Sequence, residues 1–139
     1  MKIISKNLLL FAGLLFVYTL LFRFGLSDLL NAEKYTWVWV LAFFYGAAIF
    51  ATAWMTGRRD GMENFLFDAG LRWSLTTFLV WGGVSEAWFL LGLGARQESI
   101  RMVHITLLIW SGFLVLHFIL FLILRKRTIK GIYKSDIFK

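Results

Sequence analysis

Four apolar blocks bounded by charged residues fill most of this 139-residue chain. They cover residues 7–22, 35–57, 73–95 and 102–124, and the last three hold Glu86 as their only Asp, Glu, Lys or Arg. A helix of roughly 20 apolar residues crosses the hydrocarbon of a bilayer. The pattern therefore predicts an all-α integral membrane protein, one bundle of four transmembrane helices. The first block is the shortest and is expected to extend to about residue 26, with Arg23 snorkelling to the headgroups on its aliphatic stem. Lys2 and Lys6 ahead of a Leu- and Phe-rich run also suit a signal peptide, but no small-x-small cleavage site follows, which favours a retained span.

The segments between blocks are short. They leave no room for a water-soluble domain, since even small independent domains need roughly 40 residues. The expected organisation is one domain over residues 1–139, with spans at about 7–26, 35–57, 73–95 and 102–124 and a basic tail over 125–139. In the central segment, Asp60 followed by Glu63 has the spacing of a capping box, and Met62, Phe65, Leu66 and Ala69 recur at i, i+3, i+4 and i+7. This predicts a short amphipathic helix on the membrane surface before the third span. A plain extension of the third helix reads equally well from the same residues.

Composition reinforces the block pattern. Hydrophobic residues are 60% of the chain and charged residues 17%, far from a soluble domain of this size. The absence of cysteine removes disulfides and thiolate metal sites, and the absence of proline removes the commonest cause of broken spans. Eleven of the fifteen Lys and Arg lie in the N-terminus, the central segment and the tail, against four in the other two connections. By the positive-inside bias both termini are expected in the cytoplasm, and the net charge of +7 needs no nucleic-acid partner. The setting expected from size and charge is a bacterial inner membrane. The tail can bind anionic headgroups, but a plain positive-inside anchor explains the same residues.

Tryptophans supply a second gauge of depth, because indole favours the headgroup level. Trp37 and Trp39 are expected at the outer end of the second span, and Trp54 and Trp73 near the inner surface. Trp81 and Trp110 fall near mid-membrane, where an indole N–H needs a protein partner, so they are expected inside the bundle. Small residues near the middle of the spans, Gly46, Gly82, Gly83 and Gly112, are the expected sites of close helix packing, with Ala47/Ala51 and Gly83/Ala87 at small-xxx-small spacing.

Candidate chemistry is sparse. Glu86 is an ionisable side chain inside a span, a placement that is costly and concentrates at functional sites. Heights counted at about 1.5 Å per residue from the cytoplasmic ends put it level with Tyr18, Thr19, Tyr45, Trp110 and Ser111, which predicts one polar layer. If buried there, Glu86 is a candidate proton carrier or cation-binding group. The bland alternative is a carboxyl that only bonds across the interface. His104 and His117 are the only histidines, both in the fourth span. His104 and Ser111, seven residues apart, share a helical face and with Glu86 define a possible path inward from the outer surface. His117 is expected to bond Thr52 or Thr77. Haem held by either histidine would need a second chain or a second ligand of another type, because no other helix carries a histidine. Asp60, Glu63 and Asp68 alternate with Arg58, Arg59 and Arg72, which favours a self-neutralising segment over a metal site.

No hydrolase, phosphate-loop or zinc-protease motif is present. Small multidrug transporters are similar in their four spans and membrane carboxylate. Theirs lies in the first span and this one in the third, so the likeness is one of fold level. The leading functional expectation is a non-catalytic accessory subunit or homo-oligomer that acts through helix packing, with lipid and another membrane protein or a second copy as partners. The alternatives are an oligomeric channel or proton-linked transporter using Glu86, and a haem-binding redox subunit. No other cofactor is implied.

Overall fold

The computed structural model describes residues 4–64 and 69–132. It consists of four α-helices, α1 (Lys6–Asn31), α2 (Tyr35–Asn64), α3 (Ala69–Leu90) and α4 (Ile100–Ile132), packed as a bundle. α1, α2 and α4 are each long and apolar enough to cross a membrane. α3 has 22 residues, about 33 Å, and lies lengthwise between α1 and α4. The 32–34 and 91–99 connections meet at one end of the bundle, called here the loop end. The other end, which holds the start of α1 and the later turns of α4, is the terminal end.

The helix boundaries have local causes. Ser5 caps α1, its Oγ accepting from the Leu8 amide at 3.1 Å, which satisfies one of the free N–H groups of the first turn. α1 then continues to Asn31, well past the expected end near 26. It closes in a Schellman pattern, with Lys34 N donating to Leu29 O at 2.9 Å and Glu33 N to Leu30 O at 3.0 Å. The left-handed residue of this cap is Glu33, with φ of 57°. α3 stops the same way and earlier than the expected 95: Leu93 N donates to Trp88 O and Gly92 N to Phe89 O, with Gly92 at φ of 69°. Glycine takes that conformation without strain, and is the usual residue there.

α2 runs through Asp60 to Asn64, so Asp60 opens no helix of its own. It is fully buried and its Oδ2 accepts from Arg72 Nη2 at 2.8 Å. A carboxylate gains more from a buried guanidinium at 2.8 Å than from capping a turn already closed by the preceding helix. The part of the predicted surface helix at residues 65–68 lies outside the described residues.

The core sits between α1, α2 and α3 towards the terminal end. Leu8, Phe11 and Leu15 of α1 pack with Trp73 of α3, flanked by Ile49, Ala53 and Val80. The buried stripe of α1 continues as Thr19, Arg23 and Ser27, so one face of a single helix is apolar near the terminal end and polar near the loop end. α4 packs on α3 alone among the described residues, and most of its residues are exposed.

Candidate functional site

The continuation of the α1 stripe into polar residues places a charged network inside the loop end. Arg23 follows Thr19 and precedes Ser27 by four residues each, so all three share one face of α1, and Arg23 and Ser27 reach α3 and the 91–99 connection. Arg23 is 3% exposed. Its Nη1 donates to Glu98 Oε1 at 3.0 Å, and its Nε and Nη2 donate to Ser85 Oγ at 3.2 and 2.6 Å. The guanidinium carbon also lies 5.5 Å from the Trp81 ring centre and 5.9 Å from that of Phe89, within range of cation–π attraction.

This overturns the snorkelling expectation for Arg23. A lone arginine at a span end turns to the headgroups because lipid offers it no anion; here the protein offers one, from a loop 75 residues away. Glu98 is fixed in turn by the Ala95 amide, which donates to Oε2 at 2.9 Å, and lies 3.3 Å from the Ser27 hydroxyl. Ser27 Oγ accepts from Trp88 Nε1 at 3.1 Å. The network thus ties α1, α3 and the 91–99 connection together. Its chemistry is that of a closure. Ser85 Oγ is held as an acceptor for a cation, the opposite of the base contact that activates a serine nucleophile.

At the terminal end a second buried pair, Asp60 and Arg72, joins α2 to α3. Beside it Trp73 Nε1 donates to Thr56 Oγ1 at 2.8 Å, and Arg72 lies over the Trp73 ring at 5.6 Å.

The predicted polar layer divides into two separate contacts. Thr19 and Tyr45 do meet, hydroxyl to hydroxyl at 2.9 Å, and Phe22 stacks on the Tyr45 ring at 4.3 Å. Tyr18 is half-buried beside them in α1. Glu86 instead pairs with His104, Oε1 to Nε2 at 2.8 Å, on the opposite side of α3 from this contact. Ser111 bonds its own helix, donating to Leu108 O. Trp110 meets Phe78 and Trp81 between α3 and α4, at 5.9 and 6.0 Å, and both indoles are half-buried.

The reason for the division is register. α3 ends at Leu90, capped by Gly92, and Leu107 lies opposite Gly82, its Cδ2 2.9 Å from where a Cβ would stand. That offset puts His104, and not Ser111, at the height of Glu86. The Glu86 and His104 side chains are 35% and 57% exposed, so Glu86 lies on the rim of the bundle and lacks the burial assumed for a proton carrier. His117 rests its ring over Gly70. Thr52 and Thr77, the partners expected for it, each bond the carbonyl four residues back, at Ala48 and Trp73.

Of the small residues, Gly82 is a site of close helix approach, and Gly25, packed on Leu41 at 3.0 Å, is another that composition did not single out. Gly46, Gly83 and Gly112 have open space where a Cβ would stand. Two clefts flank the bundle. One, of about 450 Å³, opens at the loop end between Asn31, Glu33, Gly94, Arg96 and Gln97. The other, of about 280 Å³, is an apolar groove between α2 and α3 lined by Phe50, Trp54 and Trp73 among others. Among the described residues no three His, Cys, Asp or Glu stand together as metal ligands. Comparison with known protein families, curated proteins and solved structures finds no match to this chain.

Proposed function

We infer that this chain is a multi-pass membrane protein of four spans that works without catalysis, by associating within the bilayer with another membrane protein or with itself. The observation that carries the reading is the asymmetry of the bundle. Buried ion pairs tie α1 to the 91–99 connection at the loop end and α2 to α3 at the terminal end, whereas among the described residues α4 packs on α3 alone and is mostly exposed. A rigid three-helix core with a peripheral apolar helix suits a protein whose working surface is a helix face. The orientation that fits the charge bias has the terminal end in the cytoplasm of a bacterial inner membrane.

The runner-up is an oligomeric channel or transporter that uses Glu86. Its support is the Glu86–His104 pair at one height, since paired ionisable groups in spans mark many ion pathways. Liposome reconstitution separates the two. The association reading expects proton and cation leak equal to that of empty liposomes, and the same leak for Glu86→Gln. Flux that depends on Glu86 overturns it. The haem reading draws less support, because His104 is engaged by Glu86 and His117 lies thirteen residues, about 20 Å, along the same helix.

A further inference from the structure

The open side of the α3–α4 pair combines three features that belong to different levels of the chain. Leu79, Gly83 and Ala87 form an exposed line on α3 at steps of four, and Gly83 has no atom within 4 Å of where a Cβ would stand. Facing the same side, His104, Leu108 and Ser111 of α4 follow at i, i+4 and i+7. The Glu86–His104 pair closes the groove towards the loop end.

The pair lies within the membrane layer rather than above it. Leu41 packs on Gly25 and Ser27 bonds Trp88, so the exposed Trp37 and Trp39 stand near the level of Trp88. Glu86 is two residues, about 3 Å, nearer the middle of the bundle than Trp88. There the second carboxylate oxygen and Nδ1 of the imidazole make no hydrogen bond among the described residues. Acyl chains offer neither a donor nor an acceptor, and an unmet polar group in such surroundings is costly.

We propose that two copies of this chain pair through this groove, about a twofold axis along the membrane normal, with Glu86 of each copy meeting His104 of the other. The proposal rests on the association reading above and names its partner. Charge complementarity selects a second copy. A twofold axis along the normal preserves height, and the acceptor and the donor already share one height through their 2.8 Å contact. An acid therefore meets an imidazole on both sides of the axis without any further adjustment, in the self-complementary manner of an isologous interface. Gly83 supplies the close backbone approach that such a crossing needs, and Ala87 four residues on extends it.

The chain has no cysteine, so single-cysteine variants report contacts without background. In membranes from the native host, Ala87→Cys under mild oxidation is expected to give a disulfide-linked dimer, whereas Phe43→Cys, on the exposed face of α2, remains monomeric. Adding Gly83→Leu to Ala87→Cys is expected to abolish the dimer; the larger side chain enters open space, so the fold is kept, as tryptophan fluorescence will check. Glu86→Gln, which has the same shape, is expected to reduce it. A dimer through Phe43→Cys and none through Ala87→Cys overturns the proposal. A link from Ala87→Cys to a different chain overturns the second copy as partner but leaves the association reading standing. No link from either position, with a monomer in the membrane, overturns both.

Discussion

Replacing Glu98 by Gln removes the one charge that pairs with Arg23 among the described residues of the loop-end network and leaves the rest of the geometry in place. The amide oxygen of Gln can still accept from the Ala95 amide, so the change isolates the ion pair from the hydrogen bond that anchors the loop. Arg23 is 3% exposed, and an uncompensated buried charge of this kind costs about 3–5 kcal/mol. A surface pair of equal length would cost about 0–1 kcal/mol, so the size of the effect distinguishes burial from snorkelling. Replacing both residues, Arg23→Met with Glu98→Gln, removes the charge along with its partner. Ser85 is then left without its donor, at about 1–3 kcal/mol. The double variant should thus be more stable than Glu98→Gln alone, by about 2 kcal/mol. Reversible denaturant unfolding in mild detergent, followed by tryptophan emission, measures it, since Trp81 and Trp88 both touch the network. A loss below about 1 kcal/mol for Glu98→Gln, or a double variant less stable than the single, would refute the buried-pair reasoning.

Three further outcomes follow from the same geometry. Gly82→Leu forces α3 away from Leu107 and should cost about 1–3 kcal/mol as overpacking, while Gly112→Leu, into open space, should cost little by the same unfolding measurement. Glu33→Gly relieves a left-handed residue in the α1 cap and should stabilise by about 1 kcal/mol; unchanged or lower stability would contradict the cap assignment. In the proposed orientation, Gln97→Cys should react with an impermeant maleimide added outside intact cells, and Lys139→Cys only after permeabilisation. The reverse pattern would invert the topology.

The helical architecture was legible because long uncharged runs admit few other structures. What escaped was the direction in which individual polar side chains turn. A lone Arg23 near a span end has snorkelling as its default, and only Glu98, placed beside it by the α3 cap, reverses that. The clue lay in spacing: Thr19, Arg23 and Ser27 continue, four residues at a time, the stripe begun by Leu8, Phe11 and Leu15. Asp60 and Glu63 satisfied a capping pattern, yet the acid answers to Arg72 twelve residues later. Heights counted from the terminal end paired Thr19 with Tyr45 correctly, since α1 and α2 pack along their length. The same count misaligned Glu86 with Ser111, because Gly92 ends α3 early and shifts its register against α4. That glycine is a stop signal readable from the chain.

The open groove between α3 and α4 is the proposed meeting place of the chain and its partner. Native mass spectrometry of protein released under mild conditions from its own membrane, wild type beside Gly83→Leu, tests this most directly. The account predicts a complex of defined stoichiometry for the wild type, two copies in the form proposed here, and a monomer for Gly83→Leu. A wild-type monomer, or a complex that survives Gly83→Leu unchanged, would contradict it.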